Sequence, residues 1–283
     1  MDTELARTFL TVVAAGNFIK AAARLHVTQS TVSARIRLLE EHLGCTLFVR
    51  NKGGTTLTPS GRLFQRHAAA LVRTIEQARQ EVGIPPSYES TLTVGGRFGL
   101  WEELMLEWLP WMRRRAPGIA LRAEIGFEED LMERLVEGSM DLAVMYTPQS
   151  RPGLTVEPLL EEQLILVSTD QDVPDSDNEY TYVDWGPEFF AKHSLSFPET
   201  AAAPLTVNIG WLGLQHILRH GGSGYFPKRL VRSYLNSGQL ARVPEAPTFS
   251  LPAYSVHLAE TDSDVIDLAL EGIRHVLGRM QTP

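Results

Sequence analysis

Ala21-Ala22-Ala23-Arg24-Leu25-His26-Val27-Thr28-Gln29-Ser30-Thr31-Val32-Ser33 is the stretch whose reading decides the fold of this 283-residue chain. Its first half belongs to a helical pattern with Ile19, Ala22, Ala23 and Leu25 expected inside. His26-Val27 makes a short turn. Thr28 has N-cap chemistry, because its hydroxyl can accept from a backbone N–H one turn further on. The next helix is expected from Gln29 to about Leu43, burying Val32, Ile36, Leu39 and Leu43, and stopping at Gly44. Two short helices joined by a tight turn, the second polar at its start, form a helix-turn-helix.

Upstream, Leu5, Phe9, Leu10, Val12 and Val13 recur at helical spacing, and Gly16-Asn17 ends that helix. Downstream, Leu47–Arg50 and Thr55–Thr58 are β-prone runs around Gly53-Gly54, which predicts a hairpin. The outer face of the third helix carries Thr28, Gln29, Ser30, Thr31, Ser33 and Arg37, with Arg35 to one side. Short hydroxyls let backbone approach DNA, Gln can read adenine bidentately, and Arg can read guanine or hold phosphate. The helix N-terminus favours a phosphate. Arg50 and Lys52, near the hairpin tip, suit phosphates or a minor groove. The competing reading of these residues is a protein-interaction module with a charged face.

The net charge of -8 hides an asymmetry. Residues 1–62 carry +4, which leaves -12 on the rest. A basic module on an acidic body can approach DNA while the body is repelled by it. Hydrophobic residues make up 43% of the chain, enough for a sizeable core. No apolar run reaches membrane-spanning length, and the acidic start lacks the pattern of a signal peptide. Cys45, the one cysteine, has no internal partner, so a reducing cytoplasm is expected.

Thr58-Pro59 pairs an N-cap with a first-turn proline. Phe64, Ala68, Leu71, Ile75, Ala78 and Val82 then follow a heptad rhythm, which suits a helix–helix seam. A helix packed on its own domain satisfies the same spacing. Gly83-Ile84-Pro85-Pro86-Ser87 reads as a hinge. Beyond it, strands Thr91–Gly95, Ala120–Ile125 and Asp141–Tyr146 alternate with helices Leu100–Arg115 and Glu128–Glu137, predicting a parallel sheet. A second unit is expected from about Glu162, with strands Leu164–Ser168, Thr181–Val183 and Leu205–Asn208 and helices Trp211–Arg219 and Lys228–Tyr234. The last helix, about Ser263–Met280, is expected to return to the first unit.

Ligands of open α/β sheets bind beyond the carboxyl ends of strands. That points to Arg97, Phe98, Gly99 and Trp101, to Phe127-Glu128, to Tyr146-Thr147, and across a cleft to Asn208. Arg97 can pair with an anionic ligand or form a surface or interdomain salt bridge. Trp101, Trp108 and Trp111 at helical spacing favour packing roles. Gly221–Gly224 is not followed by Lys-Ser/Thr and is no phosphate loop. His216 and His220 share a helix face without a third metal ligand, so no metal site is expected. No Ser/His/Asp arrangement or other enzyme chemistry stands out, and no cofactor is expected.

The block Phe9–Gly61 resembles the DNA-binding domain of LysR-type transcriptional regulators. The resemblance rests on Ala21–Leu25, Thr28–Ser33, Ile36, Leu38–Glu40, Leu43-Gly44, Leu47-Phe48, Arg50, Leu57-Thr58 and Gly61. It implies that Gln29, Ser30, Ser33, Arg35 and Arg50 approach DNA. Ala34 departs from the Arg frequent in relatives, which moves base reading toward Arg35. The expected α/β architecture is an N-terminal winged helix-turn-helix (1–58), a linker helix and hinge (59–90) and a periplasmic-binding-protein-like effector domain (91–283). Within the last, one subdomain takes about 91–161 and 262–283, the other about 162–261. The resemblance further implies a homodimer or homotetramer paired through the linker helix on inverted-repeat double-stranded DNA. It implies a small effector in the cleft, which Arg97 and the rings of Phe98, Trp101 and Tyr146 suit to an anionic or aromatic molecule. It also implies a glycine-rich turn carrying Tyr225 that lies near the cleft or supports it, and contact with RNA polymerase if the protein activates. The alternative reading is a solute-binding α/β protein whose N-terminal module serves assembly.

Overall fold

The computed structural model describes residues 2–51, 54–82, 88–151, 153–170, 179–197, 203–259 and 264–281. The expected hinge at Gly83–Ser87 and the hairpin-tip Lys52 lie outside them.

The N-terminal unit folds as expected. Helices α1 (Thr3–Ala15), α2 (Phe18–Arg24) and α3 (Gln29–Leu43) precede the hairpin of β1 (Phe48–Asn51) and β2 (Gly54–Leu57). Gly16 and Gly44 end α1 and α3 in the left-handed region, at φ 69° and 66°. The core joins Leu5, Phe9, Leu10, Val32, Ile36, Leu39 and Leu47. Three burial expectations fail. Ile19 is 67% exposed, Leu43 is 38% exposed, and Ala23 also faces outward. Phe18 and Ala21 fill the places expected of Ile19 and Ala23, because α2 begins at Phe18 and turns that face onto Phe48.

Helix α4 (Pro59–Val82) starts with the Thr58 cap, whose hydroxyl accepts from the Gly61 N–H at 2.9 Å. Its apolar seam divides. Phe64 and Ala68, with Val72, close the chain's own core, and the Phe64 ring lies edge-on to Phe9 at 5.1 Å. The seam's far end points outward, with Val82 89% exposed. The first half of the seam therefore meets the alternative of packing on its own domain.

The C-terminal unit opens with β3 (Ser90–Gly96), a short helix α5 (Phe98–Leu100), a wide helical turn (Trp101–Met105) and α6 (Leu106–Arg115). Then come β4 (Ile119–Ile125), α7 (Glu128–Glu137) and β5 (Leu142–Met145). Strand β3 pairs in parallel with both β4 and β5, as predicted. The helix expected over Leu100–Arg115 is broken at Glu102-Glu103, where Glu103 takes φ 60°.

Strand β6 (Leu154–Ser168) is longer than expected, at 15 residues. After it come β7 (Thr181–Val183), α8 (Pro187–Ser196), β8 (Leu205–Val207), α9 (Gly210–His220), β9 (Ser223–Pro227), α10 (Lys228–Asn236), β10 (Ala241–Arg242), β11 (Phe249–Leu258) and α11 (Asp264–Gln281). The main sheet runs β10-β6-β11-β5-β3-β4, with β9 also on β6. The subdomain boundary near 262 needs correction. Tyr254–His257 of β11 already pair with β5, so the chain re-enters the first subdomain within that strand. The two subdomains are joined by a continuous antiparallel β6–β11 ladder, with a register shift at Ala253/Tyr254. Helix α11 packs Ile266, Ala269, Leu270 and Ile273 into the core containing Trp108, whose indole N–H donates to the Ala269 carbonyl at 3.0 Å.

The N-terminal unit rests on the first subdomain through α7. Arg24 of α2 pairs with Glu129 and, at 3.8 Å, with Glu133. Arg7 pairs with Glu76. Burial and the neighbouring Glu133 push the Glu137 carboxyl above its ordinary range, against the pull of Arg7. No described helix is long and apolar enough to cross a membrane.

Candidate DNA interface and ligand cleft

Helix α3 offers its N-terminal turn to solvent. Thr28, Gln29, Ser30 and Arg37 are exposed, and Thr31 and Ser33 are half-buried. Thr28 Oγ1 accepts from the Thr31 N–H at 3.2 Å and lies 2.7 Å and 2.8 Å from the Ser30 and Thr31 hydroxyls. The three hydroxyls thus form one small cluster around the helix start, beside exposed Gln29. Arg35 stands apart. Its Nη1 donates to Thr8 Oγ1 at 3.2 Å and lies 3.3 Å from Glu4 Oε2, so α1 holds the guanidinium.

The wing is positioned by a residue whose role the sequence reading did not assign. Glu40 Oε1 accepts from the Leu47 and Phe48 amides at 2.6 and 3.3 Å, tying α3 to β1. Gly16 O accepts from Thr55 N–H at 3.0 Å, tying the wing to the α1–α2 turn. The Arg50 backbone lies in β1 opposite Thr55.

In the cleft, Arg97 follows β3 and reaches both subdomains. Its Nε lies 3.4 Å from Glu128 Oε1, and its Nη2 donates to the Asn208 carbonyl at 3.2 Å. Its guanidinium carbon sits 4.5 Å over the Phe127 ring. Arg97, Phe98, Gly99, Tyr146 and Asn208 line a cavity of about 40 Å³, and Glu128 flanks it through Arg97. Arg97 thus ion-pairs within its own subdomain and reaches the other through a hydrogen bond to a carbonyl, so the interdomain salt bridge does not form. Trp185 and Gly210 from the second subdomain complete the walls and were missed. They follow β7 and begin α9, and nothing local in the sequence brings them to Arg97.

Three expected cleft residues lie elsewhere. Trp101 is 6% exposed and donates its indole N–H to Glu124 O at 2.9 Å, so it packs behind β3. Tyr225 belongs to β9, where a glycine-rich turn was expected. It is buried among Phe189, His193 and Phe249, because β9 pairs with β6 and turns that side chain into the core. Its carbonyl does accept from Trp185 Nε1 at 2.9 Å, which supports the cavity wall from behind. Thr147 packs near Gly186 outside the cavity.

Behind the cavity lies a buried polar cluster that the sequence reading also missed. Tyr146 Oη donates to Glu162 Oε1 at 3.4 Å, and Arg229 Nη2 meets the same oxygen at 2.6 Å. Burial, then the Glu162 carboxylate, raise the Tyr146 pKa far above its usual value, so the phenol stays protonated. Arg229 also donates to the carbonyls of Gly99 at 2.7 Å and Glu102 at 2.6 Å. Among the described residues no His/Cys/Asp/Glu group is arranged to hold a metal.

A winged helix-turn-helix on a linker helix, followed by two α/β subdomains hinged on paired strands, defines a ligand-responsive DNA-binding protein. Residues 3–62 match the bacterial regulatory helix-turn-helix family of LysR type, and residues 87–174 match the LysR substrate-binding domain. The chain is 31% identical over 278 residues to the HTH-type transcriptional regulator HdfR of Yersinia pestis (strain Pestoides F), covering 94% of each. It belongs to the LysR family of transcriptional regulators. Among solved structures it resembles ArgP from Mycobacterium tuberculosis (TM-score 0.61, 24% identity, 98% of this chain and 97% of that one). It also resembles Vibrio fischeri DarR in complex with DNA (TM-score 0.58, 19% identity, 98% and 99%). LysG of Corynebacterium glutamicum with bound effector Arg is a third (TM-score 0.59, 18% identity, 99% of each). The alternative of a solute-binding protein with an assembly module is set aside by this membership.

Proposed function

We propose that the protein is a cytoplasmic homo-oligomer that reads an inverted-repeat operator with the start of α3 and adjusts that binding to a small effector in the Arg97 cleft. The observation that carries the DNA reading is the exposed Thr28–Ser30 turn, with Arg37 on the same helix, on a basic unit attached to an acidic body. Gln29 is assigned to base edges, helped by Ser30, Thr31 and Ser33. Arg37, Arg50 and Lys52 are assigned to phosphates. Arg35, tethered to Glu4 and Thr8, is assigned to phosphate rather than base contact. The outward face of α4, including Leu63 and Val82, is assigned to the partner subunit.

Binding to DNA from upstream of its own gene is expected to weaken linearly in log–log form as salt rises. Gln29→Ala should cost about 1–3 kcal/mol of discrimination at one base-pair position. Arg37→Ala should weaken all sequences evenly and lower the salt slope by about one. Fluorescence anisotropy with matched and scrambled duplexes measures both. Salt-independent binding, or no binding at low salt, overturns the reading.

The cleft suits an anionic or aromatic effector. Arg97 supplies the cation, and Phe98, Phe127, Tyr146 and Trp185 supply ring walls. At about 40 Å³ the cavity is far smaller than a typical ligand pocket. An effector therefore has to part Arg97 from Asn208 as it enters. Arg97→Ala is expected to weaken an effector found by thermal-shift screening at least tenfold, the loss of one charge-assisted contact. Unchanged affinity counts against the assignment. Contact with RNA polymerase is proposed only for an activating role.

A further inference from the structure

A second cavity, of about 210 Å³, lies in the seam between α4 and the first α/β subdomain. It shares no lining residue with the Arg97 cleft. Its apolar walls come from Leu10 of α1, Ala69 and Ala70 of α4, Val136 of α7, and Leu154 and Leu258 from the paired ends of β6 and β11. Three arginines of α4 also line it: Arg62, Arg66 and Arg73. Their spacing of four and seven puts them on one helical face. Arg62 donates from Nη1 to the Leu57 carbonyl at 3.0 Å, a neutral acceptor that leaves its positive charge uncancelled. The stem of Arg73 lies against Gly138, so this side chain is held at the junction of the two units.

We infer that this seam binds a small apolar monocarboxylate. An apolar cavity of about 150 Å³ takes up benzene in an unrelated protein. A cavity of 210 Å³ accordingly accommodates a chain of roughly six to eight carbons. The walls remove that chain from water, which strengthens binding by about fourfold per methylene buried. The carboxylate stays at the arginine-lined side, where a guanidinium can meet both oxygens. Such a ligand touches α1, α4, α7 and the β6–β11 ladder together, so it fastens the DNA-binding unit and linker helix to the effector-binding unit.

Octanoate and 1-octanol, titrated calorimetrically into the full-length protein, test the inference. Saturable octanoate binding at one site per chain is expected, with octanol at least about tenfold weaker because it lacks the charge. The Arg62→Gln/Arg73→Gln double variant should lose about that tenfold preference while octanol affinity stays put. Ala69→Phe, which fills the cavity, should abolish binding of both. If Ala69→Phe fails to fold, the arginine pair decides by itself. Absence of saturable octanoate binding overturns the inference, as does undiminished binding by a folded Ala69→Phe variant. A change of sedimentation coefficient in Ala69→Phe, without octanoate binding by the wild type, would mean that a second copy fills the seam, and overturns it too.

Discussion

Arg229→Ala is expected to destabilise the effector-binding unit by about 3–5 kcal/mol, the cost of breaking a buried ion pair from one side. Glu162 is 4% exposed and Arg229 8% exposed, so the abandoned carboxylate cannot turn to water. The loss extends beyond that pair. Arg229 also satisfies the carbonyls of Gly99 and Glu102, where the chain between β3 and α6 leaves regular helical geometry. Unpaired buried carbonyls each add cost. The arginine sits on α10 of one subdomain and its acceptors Gly99 and Glu102 on the other, so its removal also loosens the closed cleft. The melting temperature should fall by about 6–20 °C, taking roughly 2–4 °C per kcal/mol for a unit of this size. Arg229→Met/Glu162→Leu should be less damaging than Arg229→Ala, because it removes the buried carboxylate together with its partner, and Glu103, the other carboxylate near Arg229, is exposed to water. Calorimetry of the three proteins checks the order. An Arg229→Ala transition within 2 °C of wild type would contradict it, since about 1 kcal/mol is then the most that the whole cluster contributes.

Phe9→Ala is expected to unfold the DNA-binding unit and abolish operator binding. Phe9 is fully buried and its ring contacts two other elements at 5.1 Å each, Phe48 of the wing and Phe64 of the linker helix. Deleting such a ring costs about 3–5 kcal/mol. A domain of some 60 residues has little stability beyond that. Far-ultraviolet circular dichroism should show partial loss of helix, while the transition of the α/β unit persists because its core is separate. Retained DNA affinity in Phe9→Ala would show that the wing and linker helix are held by other contacts.

These two residues differ in how far the sequence announced them. Phe9 was expected inside because apolar side chains recur along α1, and a local period is enough to mark a buried face. The same holds for Thr28 as a cap, Gly44 as a stop and Thr58-Pro59 as a helix start. Arg229 and Glu162 carry no such mark. They are 67 residues apart and meet only because β6 and α10 pack together. The strand-end rule pointed to Arg97–Gly99, Tyr146 and Asn208, which line the cavity, yet it could not say that Arg97 already bridges Glu128 and Asn208. The likeness to a family led astray in counting the Tyr225 ring among the cleft residues. Gly221 and Gly222 do turn, at φ 85° and 120°, but Gly224 and Tyr225 join β9, whose pairing to β6 turns the ring inward.

By itself, then, the sequence determined the winged helix-turn-helix, the exposed polar start of α3, the linker helix and the strands β3 to β5. Each element was marked by a local period, cap or turn signal. Tertiary structure alone decided that half of the α4 seam serves its own domain, that β6 and β11 run through both subdomains, and that Trp185 walls the cleft. It also decided that Arg24 fastens the helix-turn-helix to α7. The physical reason is common to all of these. A periodic pattern says that a side chain needs burial or a partner, but which distant surface supplies it depends on how the elements pack together in three dimensions.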